Sequence, residues 1–329
     1  MVHPGRQTTH KLTGMILTFT ANASLDRVLF IPEFEPGENN RTESTVDAVG
    51  GKGYDTSVVL QGLGVKNRAL GFIAGPVGRQ LEALLNAYGV DHELIWVEGD
   101  TRLAHVIIET RLHRDSHITT NTGYSLTPAD VTHALELLAK HLPIAQWLTM
   151  SGSIPPGAPD DLYAQLVNAA AAAGVHTLVD AYGAPMRTAA AARPTILKMN
   201  RSELAQTFAV RALTLEALAP QVEALRQRLG VENIVVTSGG EGILALTGQG
   251  AFLARSPAQP AVNAAGAGDA VSGALAWRLS EQDEWPQALR WAAAAGAATV
   301  LTARTAECHR ADADRIFPLT TVQLLTTLT

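Results

Sequence analysis

The amino-acid sequence predicts a doubly wound α/β fold, a mostly parallel sheet flanked by helices, with a small β-sheet lid. Three observations carry that expectation. From Thr127 onward, strand-like runs alternate with helix-period runs, the rhythm of a parallel sheet covered on both faces. Four short β-prone stretches fall in two separate places, 27–31 with 42–46 and 103–109 with 116–120, as if a smaller sheet were inserted into the order of the main one. The chain has 329 residues, 47% hydrophobic and 17% charged, enough to bury one large core plus an accessory unit. The expected division is a main α/β part at 15–24, 49–99 and 122–304, a lid at 25–48 and 100–121, an N-terminal extension at 1–14 and a C-terminal tail at 305–329.

Met15–Thr20 reads as the first strand, with Asn22-Ala23-Ser24-Leu25-Asp26 just beyond it. Pro32, Pro36 and Gly37 separate the first two lid strands, and Gly50-Gly51-Lys52-Gly53 then opens a helix to about Leu63. A strand at 68–74 and a helix at 77–88 follow, separated by Gly75-Pro76. Polar residues 111–115 join the second pair of lid strands. Thr127-Pro128-Ala129-Asp130 supplies an N-cap, a proline at the first helical position and an acid at N3, so a helix starts there. A strand at 147–150 runs into the turn-rich Ser151-Gly152-Ser153-Ile154-Pro155-Pro156-Gly157. Next come a helix through Ala173, a strand at 177–180, a helix near 185–192, a strand at 196–199, and helices at 201–208 and 215–229, the last stopped by Gly230. A strand at 233–238, a hairpin of 242–247 with 251–256, a helix after Gly266 and an Ala-rich helix at 285–301 complete the series. The alanine runs at 169–173 and 292–295 read as close-packed helix faces.

Composition narrows the function. A formal net charge of −6 argues against a nucleic-acid surface. One cysteine, Cys308, excludes an internal disulfide and any multi-cysteine metal site. No apolar run reaches the length of a membrane span, and residues 1–14 hold no signal-peptide core, so a cytoplasmic enzyme is expected. His10, His92, His105, His113 and His117 show no metal-ligand spacing on one helix. The chain carries no GxxxxGK[ST], no GxGxxG after its first strand and no GxSxG, which leaves out the P-loop, dinucleotide and nucleophile-elbow readings.

One stretch stands apart: Asn263-Ala264-Ala265-Gly266-Ala267-Gly268-Asp269-Ala270-Val271-Ser272-Gly273. It reads as a tight loop feeding a helix N-terminus. Glycines let backbone N–H groups approach an anion, and the first helical turn adds unpaired donors and partial positive charge. Asp269 sets a carboxylate on that turn, where it could accept a proton from a substrate hydroxyl. The same stretch also reads as close helix packing with an ordinary acidic first turn.

Taken in order, Asn22…Asp26, Gly50–Gly53, Thr101-Arg102, Ser151-Gly152-Ser153, Lys198…Asn200…Glu203, Thr237…Gly239…Gly242 and Gly266–Asp269 resemble the ribokinase-like sugar kinases, the phosphofructokinase-B family. Within it the likeness is to the 1-phosphofructokinase and tagatose-6-phosphate kinase branch, over residues 15–304. The resemblance implies transfer of a phosphoryl group from ATP, with Mg²⁺, to a hydroxyl of a sugar phosphate. It implies Asp269 as base, with the N–H groups of Gly266, Ala267 and Gly268 as anion hole. It implies Asp26, Gly51, Lys52, Asp55, Arg102 and Ser151 at the acceptor, with Lys52 and Arg102 on the acceptor's phosphate and Arg41 as a further basic position. It implies Lys198, Asn200, Thr237, Gly239, Gly242 and Gly268 at the nucleotide, and Asn200 with Glu203 ordering Mg²⁺ through water. A small-molecule sugar or sugar phosphate is then the partner, with no nucleic acid and no membrane, and a homodimer forms through the lid.

The acceptor side departs from the branch. Its usual small apolar residue, Asn, Val-Ala becomes Tyr54-Asp55-Thr56-Ser57, and its usual Asn after Thr-Arg becomes Ala104. Its Glu-Pro-Gly-Pro-like stretch becomes Asn121-Thr122-Gly123-Tyr124, and its Thr before the second glycine block is lost within Asn263-Ala264-Ala265. These changes leave open a kinase of an unphosphorylated sugar or nucleoside, and a catalytically silent sugar-phosphate-binding protein.

Overall fold

The computed structural model describes residues 14–111 and 117–325. Residues 1–13 of the extension read at 1–14, with His10, and the linker residue His113 lie outside the described residues.

The chain starts in β1 (Met15–Thr20), crosses to the lid as β2 (Ser24–Ile31) and β3 (Ser44–Gly50), and returns through α1 (Lys52–Gly62), β4 (Asn67–Ala74), α2 (Gly75–Ala87) and β5 (Asp91–Val97). It enters the lid again as β6 (Arg102–Glu109) and β7 (His117–Thr120). Then follow α3 (Pro128–His141), β8 (Ala145–Ser151), α4 (Leu162–Ala172), β9 (His176–Asp180), α5 (Gly183–Ala191) and β10 (Ile196–Asn200). The last part holds α6 (Arg201–Phe208), α7 (Leu215–Leu229), β11 (Asn233–Thr237), β12 (Ile243–Thr247), β13 (Gly250–Arg255), α8 (Ala267–Ser280), α9 (Trp285–Thr299), α10 (Arg310–Ile316) and β14 (Thr321–Leu324).

The main sheet runs in the order β14-β13-β12-β11-β10-β9-β8-β1-β4-β5. Strands β11 through β5 in that order are parallel, and β12, β13 and β14 pair antiparallel. The central strand β1 is apolar and buried on both faces through Ile16, Leu17 and Phe19, as a strand covered by helices on each side requires. The lid is a separate sheet, β3-β2-β6-β7, in which β2 and β6 pair parallel and join the two antiparallel pairs. Helix α3 starts in a full capping box, Thr127 Oγ1 accepting from Asp130 N and the Asp130 carboxylate accepting from Thr127 N. Gly230 ends α7 in a left-handed conformation, as its position predicts.

Several expectations need correction. Gly75-Pro76 does not precede α2 but forms its first turn, where proline's missing N–H costs nothing. β5 was not read because Asp91, His92 and Glu93 mask its period on an edge strand. Residues 305–329, set apart as a tail, contribute α10 and the edge strand β14, which pairs with β13. Of the alanine run 169–173 only Ala170 is buried, because the run lies at the solvent-facing end of α4, whereas Ala292–Ala295 are all buried in α9.

Candidate active site

Register assembles the site. Thr20, Ser151, Asp180 and Lys198 are successive partners at the carboxyl ends of β1, β8, β9 and β10, so they share one face of the sheet in a row. Such strand ends, beside the point where strand order reverses, are where open α/β sheets hold ligands. Over this row stand the N-termini of two packed helices, α1 after Gly51 and α8 after Gly266.

Asp180 is the hub. It is fully buried, with Oδ1 3.1 Å from Lys52 Nζ and Oδ2 2.6 Å from Lys198 Nζ, and Ser272 Oγ donates to Oδ2 at 3.1 Å. Burial raises its pKa, yet Lys198 and Lys52 outweigh burial and hold the carboxyl below its ordinary value. Lys52 also reaches Glu203 Oε1 at 2.7 Å. Burial lowers the Lys52 ammonium, and the charges of Asp180 and Glu203 more than reverse that. Glu203 Oε2 accepts from Asn200 N at 2.8 Å while Asn200 Oδ1 accepts from Glu203 N at 2.8 Å, so the two residues form the capping box of α6.

Asp269 sits in the first turn of α8, 6% exposed, and its Oδ1 has no partner among the described residues. Burial first, and then the Asp180 charge, push its carboxyl up to about 7 against the pull of Lys52 and Lys198. Gly266 has φ 86°, and a Cβ on it would run into the backbone of Ala306, so the tight turn before α8 requires glycine. A Cβ on Gly268 would stand 3.0 Å from Lys198 Nζ, which places that ammonium over the helix N-terminus. Two positive features therefore converge, and an anion is what such a position accommodates. Of the expected amide donors, the Ala267 N–H turns back to Ala264 O at 3.3 Å, which leaves the N–H groups of Gly266 and Gly268, with that of Asp269 in the same turn, as the donors open to a ligand.

The acceptor side continues from the same cluster. Asp55, in α1, is buried and feels Asp269 and Asp26 as like charges and Arg102 and Lys52 as opposite ones. Asp26 Oδ1 accepts from Ser24 Oγ at 2.9 Å, and burial pushes its carboxyl up to about 6 against Ser24, Thr305 and Arg102. Arg102 donates to Asn22 O at 3.2 Å and to Ala23 O at 3.4 Å, so no acid neutralises it directly. It borders a cavity of about 450 Å³ with Asn22, Asn121, Ser153, Pro156 and Asp160. Tyr124, buried, holds this wall by donating to Ala21 O at 2.9 Å and accepting from Ala23 N at 3.0 Å. Arg41 lies exposed on the lid.

Thr237 is the register partner of Asn200, and Gly239 and Gly242 shape the turn beyond it. Arg201 ties that turn to α6 through Ser238 Oγ at 3.2 Å and Glu241 Oε1 at 2.6 Å. The structure thus links Lys52, Lys198 and Glu203 through Asp180, sets Asp269, Asp55 and Asp26 within electrostatic reach of that cluster, and places Ser151 in register beside Asp180, with Arg102 on the cavity and Thr237 in register with Asn200. Lys52, expected at the acceptor's phosphate, has its ammonium on Asp180 and Glu203 instead of free toward the Arg102 cavity. Asp180 and Ser272 were not singled out on sequence; the available signal was an acid ending the apolar run of β9.

The family model of the pfkB family carbohydrate kinases matches residues 19–312. The 1-phosphofructokinase of Xanthomonas campestris is 32% identical over 283 residues, 84% of this chain and 88% of that protein. The D-tagatose-1-phosphate kinase of Bacillus licheniformis is 30% identical over 299 residues, 91% of this chain and 96% of that protein. The crystal structure of phosphofructokinase-2 from Escherichia coli in complex with substrates and products aligns with a TM-score of 0.83 at 25% identity, covering 92% of this chain and 98% of that one.

Proposed function

Because the chain belongs to the pfkB family of carbohydrate kinases, we propose that it transfers the γ-phosphoryl group of ATP to a hydroxyl of a sugar phosphate, in the manner of a 1-phosphofructokinase or a tagatose phosphate kinase. One observation carries the reading: Asp269 Oδ1 lies buried and unpartnered among the described residues, at a helix N-terminus that Lys198 overhangs. Phosphoryl transfer needs alignment, charge neutralisation and a place for the acceptor's proton. Asp269 takes the proton of the acceptor hydroxyl at its free Oδ1. The Gly268 and Asp269 N–H groups, with Lys52 and Lys198, face the charge of the transferring group. Asp180 holds the two ammoniums in place.

Mg²⁺ bound with the nucleotide would supply further neutralisation of phosphate charge. No group of three or more His, Cys, Asp or Glu among the described residues could hold a metal directly, and both Glu203 oxygens are engaged. That fits an ion leaning on the nucleotide and its own waters, with Asn200 and Glu203 ordering those waters. Thr237, Gly239 and Gly242 flank the nucleotide. Asp26, Gly51, Asp55, Arg102 and Ser151 line the acceptor, and Arg102 takes its phosphate bidentately. A homodimer through the lid belongs to the same proposal, supported by the half-buried Leu29 and Ile107 paired on one lid face. So does a cytoplasmic setting; no helix among the described residues is long and apolar enough to cross a membrane.

A second reading, an unphosphorylated sugar or nucleoside as acceptor, is favoured by one feature. Among the described residues, Arg102 is the one cation bordering the acceptor cavity, where Asp160 also sits. Phosphorylation assays with ATP and Mg²⁺ over a panel of sugars, nucleosides and sugar phosphates separate the two. Turnover only on unphosphorylated acceptors sinks the first reading. Turnover on nothing leaves a silent binding protein. Asp269→Asn is expected to lower kcat by about 10²–10⁴. Wild-type kcat should fall as pH drops through about 7, where Asp269 gains its proton.

A further inference from the structure

The mechanism above sets Asp55 beside the acceptor but gives its carboxyl no chemical task. It lies one turn into α1, 4% exposed, and its Oδ1 has no hydrogen-bond partner among the described residues. Facing it are Asp269 from α8, Asp26 from β2, Arg102 from β6, Lys52 from its own helix and Tyr88 from the end of α2. The cleft carries more buried acid than base. Its carboxylates are Asp26, Asp55, Asp180, Glu203 and Asp269, and its cations are only Lys52, Lys198 and Arg102. An anionic donor, still negative with Mg²⁺ bound to it, would meet surplus negative charge here, and a proton held on one carboxyl relieves it.

Elimination locates it. Asp180 gives both oxygens to ammoniums, and Glu203 gives one to Lys52 and one to the α6 cap. Asp26 accepts from Ser24 Oγ, and its carboxyl, pushed up only to about 6, is mostly ionised at neutral pH. Asp269 has to be ionised to take the acceptor's proton. Resting on the kinase reading, we propose that Asp55 works as a neutral carboxylic acid, donating its O–H to an oxygen of the acceptor and so setting acceptor specificity. A protonated carboxyl is a donor, whereas an ionised one can only accept. Burial first, and then Asp269 and Asp26, push the Asp55 carboxyl well above the ordinary range, in the direction the proposal needs.

Asp55→Asn tests this, since an amide is an isosteric neutral donor. Three readouts are decisive. In the infrared spectrum at neutral pH, the variant should lose one protonated-carboxyl C=O band; an unchanged band set overturns the proposal. With the best acceptor from the panel, Asp55→Ala, which offers no donor, should raise the acceptor KM at least about tenfold at neutral pH, and Asp55→Asn should recover most of that loss. Asp55→Asn as impaired as Asp55→Ala would mean that a neutral donor is not what the acceptor uses there, and would overturn it. Thermal melts supply the third. Between the ordinary aspartate pKa and the raised value, the folded chain keeps a proton the unfolded chain has lost, so stability falls as pH rises. As pH rises above the ordinary aspartate value, the wild-type Tm should therefore decline more steeply than the variant's, and equal slopes count against the idea. The band and the melts need no acceptor, so they still report if the panel finds no kinase substrate.

Discussion

Asp180 shows how much one buried side chain can organise. Its two oxygens hold Lys52 at 3.1 Å and Lys198 at 2.6 Å; Lys52 has Glu203 at 2.7 Å as a second partner, whereas Lys198 has Asp180 alone among the described residues. Removing one member of such a buried set typically costs about 3–5 kcal/mol, because the remaining charges stay desolvated and unpaired. Asp180→Asn is therefore expected to lower the denaturation midpoint and to raise the KM for ATP, the latter because the ammoniums lose their alignment. The sign of the pH effect also follows. The folded carboxyl lies below its ordinary value, so its stabilisation is present above the ordinary 3.8 and is lost as pH falls through the lowered value. Urea titrations over the acid range check this: the variant should lose less stability on acidification than the wild type, and unchanged midpoint and KM would remove Asp180 from its place as hub. Asp269, Glu203 and Lys52 were legible in the sequence because each sits in a local motif. Asp180 was not, since its partners arrive through strand register, which no short window contains.

At the level of elements, the turn into α8 is held by backbone shape. Gly266 is left-handed, at φ 86°, and its α-carbon faces the backbone of Ala306. Gly266→Ala adds the strain of a left-handed alanine, about 1–2 kcal/mol, and an overpacking cost of about 1–3 kcal/mol. Gly64 is the control: its φ of 77° is also left-handed, but nothing lies within 4 Å of where its Cβ would be. Gly64→Ala should cost only the strain and leave kcat unchanged, whereas Gly266→Ala should lower both the melting temperature and kcat, the latter at least about tenfold. Equal effects of the two substitutions on kcat would mean that the turn does not position the site. The helix was readable because small residues, an acid and a helical apolar period coincide at 266–279. The same local signals gave α3 its capped start and α7 its glycine stop. β5 and β14 escaped because edge strands expose one side and dilute the period-2 pattern with polar residues. The run 169–173 misled because alanine propensity is high in any helix, buried or not.

At the scale of the whole molecule, the small sheet packs against the turn into α8. Val28 on β2 and Val106 and Ile108 on β6 form one apolar face of the lid, buried with Phe30 and Val46, and that face packs against Ala265, directly before Gly266. Asp26 and its register partner Ala104 lie on the same face, since residues two apart on a strand point the same way. One surface of the lid thus both carries Asp26, proposed to hold the acceptor, and covers the turn proposed to receive the transferring group. Closure of such a lid excludes water, which would otherwise compete with the sugar for the phosphoryl group. Val106→Ala removes two methyl groups from the contact, worth about 1–2 kcal/mol, without touching a charged residue of the cleft. A loss of that size moves a closed-to-open balance by roughly tenfold. The acceptor KM should rise about tenfold, and ATP hydrolysis without acceptor should rise relative to transfer. Parallel assays of ADP release and sugar phosphorylation measure the ratio. If the acceptor KM rises while the hydrolysis-to-transfer ratio stays fixed, the lid places the acceptor but does not exclude water. If neither moves, the apolar face is an ordinary piece of core and closure is controlled elsewhere.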